Sequence, residues 1–147
     1  MARIDPLLLN MQTVNASDLH MVVGQKPKYR IDGDVRVIED HDVLTEKTLG
    51  EYLFEICNEP QRKRYEDNLD FDFAYGIEDK ARYRCNYFFQ RTGYGSVMRL
   101  IPTRILTLDE LKLPAVLKRM TDLRSGLVLV TGPTGSGKST TLAAIIE

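Results

Sequence analysis

Eight residues at 132–139, Gly-Pro-Thr-Gly-Ser-Gly-Lys-Ser, match G-x-x-x-x-G-K-[ST] at every fixed position. That pattern serves to grip the phosphates of a nucleotide. Gly132, Gly135 and Gly137 carry no Cβ, so backbone N–H groups can converge on phosphate oxygens at the head of a helix. Pro133, Thr134 and Ser136 occupy the variable positions of the same turn. Lys138 supplies a point charge for the β- and γ-phosphates, the Ser139 hydroxyl is the expected Mg²⁺ ligand, and Thr140 adds a backbone amide. The flanking pattern fits: apolar Leu127–Val130 before the turn read as a strand buried on both faces, and "KSTTLAAIIE" after it reads as a helix.

Such a turn hydrolyses nothing alone. Phosphoryl transfer also needs an acidic residue supporting the metal, a group that positions water and, usually, an arginine near the γ-phosphate. The acidic residue lies on a later strand in P-loop proteins, and here the sequence ends at Glu147. The expectation is therefore the front part of a longer protein, catalytically silent by itself, with its parallel strand lacking sheet neighbours.

Other chemistry-bearing groups read more blandly. Ser17, Asp18 and His20 resemble a hydrolase cluster, but their tight spacing suggests a turn capped by Ser or Asp. His41 is a lone loop histidine, and Cys57 and Cys85 show no metal-ligand spacing and read as small buried hydrophobes. In "LDFDF", Asp70 and Asp72 face solvent and Phe71 and Phe73 face inward. Tyr83, Tyr87, Phe88 and Phe89 could suggest a base-stacking sheet, but a net charge of -1 argues against a nucleic-acid partner. The 147 residues are 43% hydrophobic and 28% charged, with no apolar run of bilayer length and no secretory leader. These features point to a cytoplasmic protein without membrane insertion.

The elements that must position these groups follow from pattern. "DPLLLNMQTV" reads as a short helix with Asp5 as its cap and Pro6 in its first turn. Strands follow at Leu19–Val23, Lys28–Ile31 and Val35–Ile38, with "DGD" turning the last pair. Thr45 caps a helix with Leu49, Leu53 and Ile56 on one face, Pro60 breaks it, and "PQRKRYEDN" is a second helix. "LDFDFAYGI", "ARYRCNYFFQR" and "YGSVMRLIP" alternate like three more strands. This half is α+β, a mainly antiparallel sheet with helices on one side. We divide the chain into an N-terminal domain at 1–101, a linker at 102–106 and a P-loop segment at 107–147. In the last, Thr107 and Glu110 form a capping-box pattern and Pro114 opens a further helix.

"ASDLH", "IDGDVR", "ARYRCNYFFQR", "VMRLIP", "LTLDELKLP" and the P-loop block, in this order, resemble the secretion ATPase superfamily. Within it, the chain is most similar to the type IV pilus retraction ATPases of twitching motility. The resemblance implies a PAS-like N-terminal domain joined to the start of an α/β RecA-like domain. It implies an ATP hydrolase with Mg-ATP held between the two, and a homo-hexameric cytoplasmic ring acting on the platform protein of the inner-membrane pilus machinery. It also assigns nucleotide-facing roles to Arg84 and Arg99, with Arg82 beside them and Arg91 and Arg104 as further candidates. The bland alternative for each is a solvated strand-face arginine. Two other readings stay open: a non-catalytic interaction fragment, and an extension or secretion-system ATPase of the same superfamily. The short lead before "ASDLH" favours retraction.

Overall fold

The computed structural model describes residues 1–102, 105–120, 122–133 and 136–146. They fall into two compact units, 1–101 and 102–147.

The first unit is built on a six-stranded antiparallel sheet. Helix α1 (Asp5–Thr13) leads into β1 (Ala16–Val22), β2 (Lys28–Ile31) and β3 (Asp34–Val37). Helices α2 (Glu46–Glu55) and α3 (Glu59–Asn68) follow, then β4 (Asp70–Ile77), β5 (Ala81–Gln90) and β6 (Gly93–Ile101). Strand order is β3-β2-β1-β6-β5-β4, so two meanders meet where β1 pairs with β6. The chain crosses from one sheet edge to the other through α2 and α3.

Local chemistry explains the joints. Asp32 and Gly33 both have positive φ, 52° and 92°, which gives the two-residue hairpin between β2 and β3 the twist its strands need. Thr45 and Thr48 close a capping box at the start of α2, and Asn58 and Gln61 close another at α3. Asp5 differs from the sequence expectation. It is the first residue of α1, not its cap, and it is 2% exposed, accepting hydrogen bonds from the Ala2 amide and the Tyr75 hydroxyl.

The three helices cover one sheet face. Leu7, Leu8 and Met11 of α1, Leu49 and Leu53 of α2 and Tyr65 of α3 pack with Leu19, Met21, Tyr83, Cys85, Tyr87 and Met98 of the strands. Tyrosine hydroxyls fasten the layers: Tyr29 and Tyr83 donate to the Leu7 and Leu8 carbonyls, and Tyr87 donates to the Leu53 carbonyl. That placement takes Tyr83 and Tyr87 off the open face and rules them out as stacking platforms. Burial pushes the thiols up, Cys57 to about 11 and Cys85 to about 12, so both stay protonated near neutrality. The opposite sheet face carries no helix of this unit and mixes charged residues such as Arg30, Arg84 and Arg99 with Val35, Val37 and Val97.

The second unit departs from the sequence reading. The expected helix after Pro114 is a 3₁₀ segment, Ala115–Met120, while residues 127–130 form no strand, in line with the expectation that this segment lacks sheet neighbours here. Leu127 is 82% and Leu129 75% exposed. A parallel strand exists only through neighbours that take its N–H and C=O groups and cover both its faces, and no strand lies next to this one among the described residues. The Thr107–Glu110 capping contact does form, with each residue's backbone amide bonded to the other's side chain.

Candidate functional site

Helix α4 (Lys138–Ile146) begins where the glycine-rich turn ends. Gly132 and Gly137 have φ of 151° and 84°, conformations that side-chain-bearing residues rarely adopt. A Cβ added at Gly132 would lie 2.7 Å from Ser136 Oγ, so a side chain there would have to displace the Ser136 hydroxyl. The Ser136 amide donates to the Pro133 carbonyl at 3.3 Å, and the Thr141 amide to Gly137 at 2.8 Å. Lys138 Nζ donates to the Pro133 carbonyl at 2.6 Å, which sets its ammonium over the turn and not out along the helix. Ser139 and Thr140 are exposed in the first turn of α4. Thr134 and Gly135 lie outside the described residues. Glycine-closed backbone, a helix head and one ammonium turned inward suit a polyphosphate, and an exposed hydroxyl beside them suits its metal.

The arginine face belongs to the first unit. Arg84 of β5 stands directly opposite Arg99 of β6, Arg99 opposite Asp18 of β1, and Asp18 opposite Arg30 of β2. These four residues make one row across the open sheet face. Alternation places them there: in β5, Ala81, Tyr83, Cys85 and Tyr87 point to the helices while Arg82 and Arg84 point away. Arg84 Nε donates to Asp72 at 3.1 Å, and Arg99 Nε donates to Asp18 at 2.8 Å. With Asn86 and Val97 they line a depression of about 220 Å³. Arg82 is exposed opposite Ile101, and Arg91 is exposed in the turn between β5 and β6. Arg104 lies outside the described residues.

Asp18 corrects the sequence reading of its neighbourhood. Ser17, Asp18 and His20 sit within β1, and no turn is capped there. Asp18 is 2% exposed, and Ser17 donates to it at 2.8 Å. Burial pushes its carboxyl pKa up, but the Ser17 and Arg99 hydrogen bonds outweigh that and hold it below the ordinary aspartate value. Asp18 and Arg30 were not singled out as a pair from sequence. The signal was present in the period-two pattern, which puts both on the face that also carries Arg84 and Arg99.

The model of the type II/IV secretion system protein family matches residues 2–147. The chain belongs to that family. Among curated members, it is 46% identical over 144 residues to the type IV pilus retraction ATPase PilT of Pseudomonas aeruginosa, covering 98% of this chain and 42% of that protein. It is 43% identical over 121 residues to a twitching motility protein of Neisseria gonorrhoeae, covering 82% of this chain and 32% of that one. A crystal structure described as the pilus retraction motor PilT with bound ADP superposes with a TM-score of 0.84 at 33% identity, over 99% of this chain and 42% of that one. The chain thus spans well under half the length of these family members. No helix among the described residues is long and apolar enough to cross a membrane.

Proposed function

We propose that this chain is the front part of an ATP-driven motor of type IV pilus retraction, working as a hexameric ring on the inner-membrane pilus machinery. The observation that carries the reading is the glycine-closed turn at the head of α4, with Lys138 folded over it. Its residues would hold Mg-ATP: the backbone N–H groups of 132 and 134–140 and Lys138 on the phosphates, with Pro133 shaping the turn, and Ser139 on the metal. Bound nucleotide supplies the phosphoryl group whose transfer drives the motor. Arg84 and Arg99 are the anion-facing groups of the N-terminal unit, because guanidinium pairs on an exposed face respond strongly to phosphate charge. The bound ADP of the structural relative and the identity to retraction ATPases support nucleotide use and the retraction class over extension.

Steady-state ATP turnover of the full-length protein tests the reading. Lys138→Ala is expected to lower turnover by roughly 100-fold or more, the scale of losing one preorganised charge stabiliser. Equal turnover with and without Lys138 would overturn it. The isolated 147-residue chain is expected to show no turnover above buffer.

A further inference from the structure

Asp18 points to the open sheet face, yet its carboxylate is only 3% exposed. Two cations from the strands on either side flank it, and its two oxygens divide their partners. Oδ1 accepts from Arg99 Nε at 2.8 Å. Oδ2 accepts from the Ser17 hydroxyl at 2.8 Å and lies 3.5 Å from Arg30 Nε.

The two arginines are held differently. Arg30 is fixed from its far end as well, with Nη1 donating to the Gly33 carbonyl at 2.9 Å in the β2–β3 hairpin. The Arg99 side chain is 65% exposed, and beyond Nε its remaining N–H groups have no partner among the described residues. One arginine is anchored and the other has an open fork.

A buried carboxylate left without a cation is strongly destabilised. Were Arg99 its sole partner, Asp18 would lock that side chain in place and oppose any movement toward an anion. A second, anchored guanidinium on the other oxygen removes the conflict. We propose that Arg30 is a positioning residue for Arg99: it stays on Asp18 when Arg99 turns to a phosphate, so that Asp18 aims Arg99 without trapping it. This rests on the reading that Arg99 faces the nucleotide's phosphates.

The test is the Kd of Mg-ATP for the full-length protein, measured for the wild type, Arg30→Ala, Arg30→Lys, Arg99→Ala and the Arg30→Ala/Arg99→Ala double variant, the last two made also with Asp18→Asn. Arg30→Ala is expected to weaken binding about fivefold, a coupling typical of charges that share a partner. Arg30→Lys restores a cation beside Asp18 and is expected to recover Kd to within about twofold of wild type. In the Arg99→Ala background, made with Asp18→Asn so that no buried carboxylate is left without a cation, Arg30→Ala is expected to add nothing. A merely structural role for Arg30 would weaken binding equally with and without Arg99, and that result, or an unchanged Kd in Arg30→Ala, overturns the inference while leaving the role of Arg99 intact. If Arg99→Ala itself binds Mg-ATP like wild type, the phosphate-facing reading fails and this inference fails with it.

Discussion

Arg84 and Arg99 face one another in direct register across the β5–β6 pairing, two guanidinium-bearing residues side by side on the open sheet face. Like charges directly opposed on neighbouring strands cost stability. Each is partly neutralised by a carboxylate, Arg84 by Asp72 and Arg99 by Asp18, but the Arg84–Asp72 pair is exposed at both ends and contributes little. The arrangement is poor for the fold alone and good for receiving an anion.

Arg84→Ala is therefore expected to separate stability from function. Its melting temperature should equal or slightly exceed that of wild type, since the change removes a like-charge repulsion across the strand pair. ATP turnover of the full-length protein should fall. A clear loss of stability with unchanged kinetics would return Arg84 to the class of solvated surface arginines.

Tyr87 and Tyr83 give a graded pair of stability tests. Tyr87 donates at 3.0 Å to the carbonyl of Leu53, in the last turn of α2, where helix carbonyls lack an amide four residues on. Tyr83 donates at 2.8 Å to Leu8, in the middle of α1, whose carbonyl the helix itself engages. Tyr87→Phe leaves a buried acceptor unpaired and is expected to cost about 2 kcal/mol, whereas Tyr83→Phe is expected to cost about 1 kcal/mol or less. Denaturant unfolding of both variants checks the order. Equal losses would show that the position in the helix does not decide the cost.

The pH dependence of stability follows from His20 and Asp18. His20 lies beside Lys28 and Arg30 of β2 and near Arg99 of β6, and its Nε2 is sealed from water without a partner among the described residues. Burial lowers its pKa below the ordinary 6.5 and Arg30 lowers it further, with Asp18 opposing. Asp18 is likewise held below its ordinary 3.8. Both folded-state values lie below the unfolded ones, so the unfolded chain takes up more protons as pH falls. The His20 contribution is complete above pH 6.5 and is lost as pH drops from there through its folded value. The Asp18 contribution is complete above pH 3.8 and is lost below it. Thermal melts across this range should show the first decline flattened in His20→Gln and the second reduced in Asp18→Asn. A first decline that persists undiminished in His20→Gln would assign it to another group.

These residues also show where sequence was a sufficient guide. The six strands were legible because Tyr83, Cys85 and Tyr87 alternate with arginines, and only one register buries the first set. The turn before α4 was legible because Gly132 and Gly137 adopt the positive φ that glycine allows. Asp18 was misread: a serine and an aspartate in sequence suggest a cap, and only the pairing of β1 between β2 and β6 shows that two arginines flank the carboxylate. The apolar run at 127–130 was legible as a strand-forming segment that would lack sheet neighbours here. Its composition records a sheet environment, and within the described residues no neighbouring strand supplies one. Asp5 shows the same limit as Asp18 on a small scale, since its partner Tyr75 is 70 residues away.

The most direct test is a structure of the full-length protein with a non-hydrolysable ATP analogue and Mg²⁺. The account predicts the phosphates against the backbone N–H groups of residues 132 and 134–140, Lys138 Nζ turned from the Pro133 carbonyl to a phosphate oxygen, and Ser139 Oγ on the metal. Nucleotide bound elsewhere, or that turn unchanged with Lys138 still on Pro133 at saturating analogue, would contradict it.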